Sequence, residues 1–254
     1  MFHAFYSSPM NITPKKTEVF CLGYPVFNTS LDKLPLKSKL LVSTINQYSY
    51  CISEEDAAFK EALLNSDVLL PDGVGVVFAS KWLNGVKVKK IAGADFHDYQ
   101  LKRLNAISGS CFYLGASNET LAKIKARLQE DYPNVKVGSY SPPYKPNFTE
   151  EDNAKMIQEV NNFSPDVLFV GMTAPKQEKW CYANKDVLDA KIICSIGAVF
   201  DFYAGTVERP GKIWQDLGLE WFGRLLKEPK RMWRRYIYYG GVFAKHLLKA
   251  KFSN

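Results

Sequence analysis

The sequence predicts an α/β protein, a Rossmann-like, mainly parallel sheet flanked by helices, with a basic helical appendage at its C-terminal end. Two patterns carry that expectation. Along most of the chain, short apolar runs recur, each followed by a turn of Gly or small polar residues and then a helical stretch. Strands buried on both faces between helices read this way. Charge is also segregated. From Arg209 to Asn254 there are eleven Lys or Arg against three Asp or Glu, a balance of +8, while the whole chain carries +7. The first 208 residues are therefore close to neutral.

The elements follow in order. KLLVST (39–44) is the first core strand, leading through Ile45-Asn46 toward the helical SEEDAAFKEALLN. DVLL (67–70) passes through Pro71-Asp72-Gly73 into VGVVFASKWL, and CFYL (111–114) through Gly115-Ala116-Ser117 into NETLAKIKARLQEDY. The Pro-rich SPPYKPNFTEED (141–152) is a loop ending in a helix start, with Thr149 as N-cap and Asp152 three residues on. DVLFV (166–170) runs through GMTAP into KQEKWCYAN, and KIICSI (191–196) into Gly197-Ala198.

From about residue 205 the chain reads as helices. Trp214, Leu217, Trp221 and Leu225 fall near helical spacing. After Pro229, an apolar stripe of Met232, Trp233, Tyr236, Ile237 and Phe243 runs beside Arg231, Arg234 and Arg235. Gly240-Gly241 is a candidate break in that last helix. The expected division is a core over 1–204 and an appendage over 205–254.

Composition narrows the class. A hydrophobic content of 46% over 254 residues can build a full core, and 23% charged residues argue against a disordered chain. No apolar run reaches the roughly 18 residues of a membrane span, and the start lacks a signal-peptide pattern. Five scattered cysteines without a Cys-x-x-Cys pair read as reduced core residues of a cytosolic protein. Three isolated histidines give no metal cluster.

In open α/β sheets, ligands bind beyond the carboxyl ends of the strands, so polar residues there are the site candidates. Asp72 is the sharpest: it leaves a strand directly and precedes Gly73 and Gly75. A carboxylate there can serve as general base or hold a ribose hydroxyl, and equally can cap a helix or make a turn. Thr44 and Asn46 leave the first core strand at the same edge, able to hold a sugar or phosphate oxygen or to cap the next turn. The turns at Gly115 and Gly171 offer backbone N–H groups to an anion, as any doubly wound fold does. Neither matches G-x-x-x-x-G-K-[ST] or G-x-G-x-x-G. Gln177 and Glu178 either reach a ligand or face solvent. Asp201, flanked by apolar residues, needs a partner, either a ligand's donors or Arg209. Glu54-Glu55-Asp56 and Glu150-Glu151-Asp152 read as acidic helix starts. No Asp-x-Asp follows a strand, so the divalent-metal anchor of many sugar-nucleotide transferases is missing. Cations for a leaving diphosphate are then expected from Arg224, Arg231 and Arg234.

Together, LLPDGVGVVFASKWLNG, KKIAGADF, FVGMTAPKQEKW and IGAVFDFYAGTVERPGKIWQDLGLEWFGRLLKEPKRMWRRYI resemble the WecG/TagA/CpsF family of bacterial glycosyltransferases, glycosyltransferase family 26. The resemblance covers roughly Lys39 to Ile237 and is most specific in the LGLEW–RLL–EP–R–WRRY block. It implies an inverting glycosyltransferase that needs neither metal nor cofactor. Such an enzyme moves N-acetylmannosamine, its uronic acid, glucose or a similar sugar from a UDP-sugar to a polyprenyl-diphosphate-linked saccharide. The work is done at the inner face of the bacterial cytoplasmic membrane, for teichoic acid or surface polysaccharide. The implied partners are that donor, that acceptor, an anionic membrane surface and a second copy in a homo-oligomer.

On this resemblance Asp72 matches the catalytic base of the P-D-G motif and Thr44 the Thr of T-x-N, with Asn46 its companion. Gln177 matches the Gln of P-[KR]-Q-E near the nucleotide, and Asp201 the Asp of G-x-x-x-D-F. Arg224, Arg231 and Arg234 match the appendage arginines that approach the diphosphate. Two positions depart: Lys90 stands where members often have Arg, and Met172-Thr173-Ala174 replaces a Gly-Ser/Ala pair before Pro175. Two other classes share some features. A nucleotide-dependent oxidoreductase would carry G-x-G-x-x-G where this chain has Thr44-Ile45-Asn46. A nucleic-acid-binding protein would share the basic tail, though here the charge is interleaved with large apolar residues, as suits a membrane interface.

Overall fold

The computed structural model describes residues 17–208, 211, 214 and 220–252. A hairpin of β1 (Glu18–Cys21) and β2 (Tyr24–Phe27) opens the described chain. Its two-residue turn, Leu22-Gly23, has positive φ at both positions, the conformation whose twist matches paired strands. The core sheet follows: β3 (Leu40–Ile45), β4 (Val68–Pro71), β5 (Ser110–Gly115), β6 (Lys136–Tyr140), β7 (Val167–Gly171) and β8 (Ile192–Ser195). Their spatial order is β4-β3-β8-β7-β5-β6, and every pairing is parallel.

Parallel neighbours need crossovers, and the helices supply them. These are α1 (Gln47–Glu55), α2 (Ala57–Leu64), α3 (Val74–Asn84), α4 (Gly93–Ala106), α5 (Asn118–Asp131), α6 (Glu150–Phe163) and α7 (Lys176–Asn184); α8 (Ala198–Tyr203) follows the last strand. Strand side chains alternate between two faces. Leu40, Val42, Cys111, Tyr113, Val167, Phe169 and Cys194 pack with Phe96 of α4, Leu121 of α5 and Phe200 of α8. Leu41, Phe112, Leu114, Leu168, Val170 and Ile193 pack with Met156 of α6 and Trp180 of α7. All five cysteines are buried thiols.

The sequence placed five of these six core strands. The edge strand β6 and the β1–β2 hairpin had no reading. The stretch 53–65 is two helices, because Asp56 accepts from the Phe59 N–H (3.0 Å) and starts a new one. Glu54 and Glu55 consequently end α1 rather than begin a helix. Glu54 is held by the Tyr24 hydroxyl (2.7 Å) and the Lys60 ammonium. Thr149 caps α6 in a capping box with Asp152, as expected.

The tail is helical: α9 (Glu220–Lys227), α10 (Pro229–Trp233), a π-helical turn over Arg234–Tyr238, and α11 (Tyr239–Phe252). Gly240 and Gly241 lie inside α11 and do not break it. The helix is held by its packing, since Tyr239, Phe243 and Leu247 are buried against Tyr24, Tyr50, Cys51 and Val76. The expected stripe is split: Met232 and Phe243 are buried, whereas Trp233 and Ile237 are exposed. Among the described residues, no helix is long and apolar enough to cross a membrane.

Candidate active site

Strand order positions the site. The connection after β5 leads outward to β6, whereas that after β7 leads the opposite way to β8. Neighbouring strands whose connections diverge leave a crevice at their carboxyl ends. Gly115 and Gly171 face each other at the top of that crevice in register. A Cβ on Gly115 would stand 2.2 Å from the Gly171 carbonyl oxygen, at a φ of +122°. A Cβ on Gly171 would stand 2.8 Å from the Phe200 ring. Both glycines are thus required by the protein's own packing, independently of any ligand.

Asp72 stands at the tip of β4. Its N–H donates to the Ile45 carbonyl (2.8 Å), continuing the β3–β4 ladder past Ile45 and Pro71. Its residue is half-buried, neither sealed in the core nor on the opposite pole. Thr44, half-buried on the adjacent strand, pairs with Leu70. Lys90 is half-buried in the loop whose next residue, Ile91, donates its N–H to the Pro71 carbonyl (2.9 Å). Thr44, Asp72 and Lys90 therefore converge on one corner of the sheet.

Asn46 is the N-cap of α1. Its Oδ1 accepts from the N–H groups of Tyr48 and Ser49 (3.0 Å each), the capping alternative of the sequence reading. Ser117 likewise caps α5, accepting from the Thr120 N–H.

Gln177 is buried beneath the strand tips at 5% exposure. Its Oε1 accepts from the N–H of Met172 (3.1 Å) and of Gly197 (3.2 Å), and its Nε2 donates to Glu178 Oε1 (2.9 Å). The N–H groups of Met172 and Gly197 are thus committed to Gln177, although the sequence offered the GMTAP turn to an anion. Glu178 does not face solvent: it is 3% exposed, and burial pushes its carboxyl up to about 7. Asp201, in α8, is half-buried. Thr206 Oγ1 donates to its carboxylate over 3.4 Å. Its alternative partner Arg209 lies outside the described residues.

The appendage reaches the same edge. The Arg224 guanidinium sits 5.3 Å from the Phe202 ring, next along the chain to Asp201, and its Nε is buried with no partner among the described residues. Arg234 is exposed, 6.0 Å from the Tyr239 ring. The Arg231 side chain lies outside the described residues. Arg235, read from sequence only as one basic residue along a stripe, stacks on Tyr48 at 4.4 Å in the first turn of α1. Its charge also reaches Glu178. The π-helical turn holds Arg234 and Arg235, and such turns occur often at functional sites. Arg235 and Glu178 are the two candidates that sequence reasoning undervalued. The clue to Glu178 was its place one residue after Gln177, on a helix that also buries Trp180 and Cys181.

A Bacillus subtilis (strain 168) protein named N-acetylglucosaminyldiphosphoundecaprenol N-acetyl-beta-D-mannosaminyltransferase is 29% identical over 82% of this chain and 79% of its own length. A protein of the same name from Staphylococcus aureus (strain MW2) is 27% identical over 78% of this chain and 76% of its own length. Residues 17–254 match the family described as Glycosyl transferase WecG/TagA/CpsF. The match displaces the oxidoreductase and nucleic-acid readings, and the chain belongs to the WecG/TagA/CpsF family of glycosyltransferases.

Proposed function

We propose that this glycosyltransferase moves N-acetylmannosamine, or a closely related sugar, from a UDP-sugar to a polyprenyl-diphosphate-linked saccharide in cell-surface polymer synthesis. It inverts the anomeric centre and needs no metal. The relatives' names supply the mannosaminyl group and the N-acetylglucosaminyl diphosphoundecaprenol acceptor. The UDP carrier, the inversion and the working place on the inner face of the cytoplasmic membrane come from the family resemblance.

One observation carries the mechanism. A half-buried carboxylate, Asp72, stands at a strand tip on an edge that appendage arginines flank at α8 and α1. In the proposed reaction Asp72 takes the proton from the acceptor hydroxyl as that oxygen bonds to the donor's anomeric carbon. The bond from that carbon to the diphosphate oxygen breaks on the opposite side, and UDP leaves with its electron pair. Positioned general-base help is typically worth about 10²–10⁴ in rate. Thr44 and Lys90, at the same corner, hold sugar hydroxyls in this reading. Arg224 and Arg234, with Arg231, are the proposed counter-charges to the diphosphate, and guanidinium suits that task through paired donors. Gly115, Gly171 and Asp201 border the proposed nucleotide cleft, and Asn46 acts on it through its cap of α1.

Exposed Trp233, Ile237 and Tyr238 beside Lys230 and Arg234 suit contact with an anionic membrane surface. The deciding experiment is a donor screen against a short-chain lipid-diphosphate N-acetylglucosamine acceptor, scored by product mass. Transfer from UDP-N-acetylmannosamine is expected. A chain that transfers no sugar from any UDP donor would refute the reading.

A further inference from the structure

Gln177 joins two strand-end turns through one side-chain oxygen. Met172 belongs to the turn from β7 to α7, and Gly197 to the turn from β8 to α8; both N–H groups end on Gln177 Oε1. The fit leaves no slack, because a Cβ on Gly197 would stand 2.5 Å from that oxygen. A primary amide has two orientations that exchange its donor and acceptor. Turned the other way, Gln177 would point an NH₂ group at two N–H donors, and both bonds would be lost. Those two donors favour the observed orientation, and Nε2 to Glu178 Oε1, at 2.9 Å, holds the other end of the amide in it.

Glu178 is an expensive residue to keep there. Its second oxygen, Oε2, is buried and has no hydrogen-bond partner among the described residues. A lone carboxylate oxygen away from water is unfavourable, and an apolar side chain of similar size would fill the space without that cost. Burial raises the carboxyl to about 7, against lowering by the Gln177 hydrogen bond, its own backbone N–H and the Arg235 guanidinium. The Cys181 and Cys194 thiols lie close enough to feel its charge.

We propose that Glu178 is a positioning residue for donor binding: it sets the Gln177 amide, and that amide clamps together the two strand-end turns that receive the nucleotide diphosphate. The proposal rests on the UDP-sugar reading given above. Glu178 itself touches no substrate in this role, so its effect must pass through Gln177.

The test uses the full chain, with UDP binding by calorimetry and steady-state kinetics on UDP-N-acetylmannosamine. Glu178→Met removes the acceptor at similar length. Glu178→Gln keeps a carbonyl oxygen for Gln177. Glu178→Met is expected to weaken UDP binding and raise the donor KM by about tenfold, the scale of one charge-assisted hydrogen bond, with the acceptor KM little changed. Glu178→Gln should return UDP affinity to within about twofold of wild type, because the acceptor is restored. The double variant Gln177→Met with Glu178→Met should be no weaker than Gln177→Met alone, since residues acting through one another are not additive.

Unchanged UDP affinity in Glu178→Met, additive losses in the double variant, or no rescue by Gln would each overturn the proposal. Should Glu178→Met not fold, Gln177→Met probes the same clamp from the other side, and wild-type UDP affinity in that protein overturns it equally. A wild-type chain that binds no UDP defeats the donor reading itself, an outcome distinct from a wild type that binds UDP and a Glu178→Met that binds it as tightly.

Discussion

The Asp72 N–H donates to the Ile45 carbonyl over 2.8 Å, so a backbone hydrogen bond ties the tip of β4 to the tip of β3. That bond is main-chain, and a substitution of the carboxyl group leaves it in place. Asp72→Asn should therefore preserve the fold and leave UDP affinity within about twofold, while turnover falls by about 10²–10⁴ through loss of the proton acceptor. Calorimetry with UDP and initial rates on the same preparation separate the two effects. Near-wild-type turnover would remove Asp72 from the base role.

Phe243 shows that the appendage is anchored as well as basic. Its ring packs edge-on to Tyr50 at 5.4 Å, within a cluster that includes Cys51, Val76 and Leu247. A truncation near Gly205 would strip that cover and expose Tyr50. Phe243→Ala should accordingly cost about 3–5 kcal/mol, as for other large-to-small core changes, in urea unfolding followed by tryptophan fluorescence. A loss below about 1 kcal/mol, no more than a surface substitution gives, would show that α11 is only loosely seated.

The fold was legible where strands are buried on both faces. LLV, VLL, CFYL, VLFV and IIC are continuous apolar runs, and all lie in the parallel sheet. The edge strand Lys136–Tyr140 has one fully buried residue, Gly138, and so carried no such signal. The hairpin was hidden because Tyr24 and Val26 are buried by long-range contacts with Tyr50 and Phe59, which no local window shows. At the site, strand-tip position was readable for Thr44 and Asp72, but hydrogen-bond allegiance was not. Asn46 was read as a ligand contact or a cap, and Gln177 as reaching a ligand or facing solvent; their oxygens accept from backbone N–H groups close in sequence or across a turn. Spacing alone cannot tell an amide that meets a ligand from one that holds the loop beside it.

Two glycines with positive φ provide a matched pair. A Cβ on Gly115 would meet the Gly171 carbonyl at 2.2 Å, backbone that has no side-chain freedom with which to yield. Gly85, with φ +71° at the end of α3, has nothing within 4 Å of an added Cβ. Gly85→Ala should cost about 1–2 kcal/mol, the left-handed penalty by itself. Gly115→Ala should cost clearly more, as overpacking is added to strain. Thermal unfolding of both variants against wild type reads the difference. Equal losses would mean that β5 and β7 separate easily at the crevice.

Glu178 gives stability a pH dependence whose sign can be worked out. Its carboxyl is raised by burial from an ordinary 4.5 to about 7. Between those values the folded state holds the proton more firmly than the unfolded chain, so stability falls as pH rises through that window. Below about 4.5 both states are protonated, and above about 7 both are ionised, so the effect is flat outside it. A shift of this size corresponds to about 3 kcal/mol. Glu178→Gln cannot ionise, so urea midpoints at pH 5 and pH 8 should show the wild type losing ground to the variant by up to about that amount as pH rises. A difference that stays constant with pH would mean that Arg235, the cation acting on Glu178, neutralises the carboxylate fully in the fold. The bare Oε2 would then carry no cost.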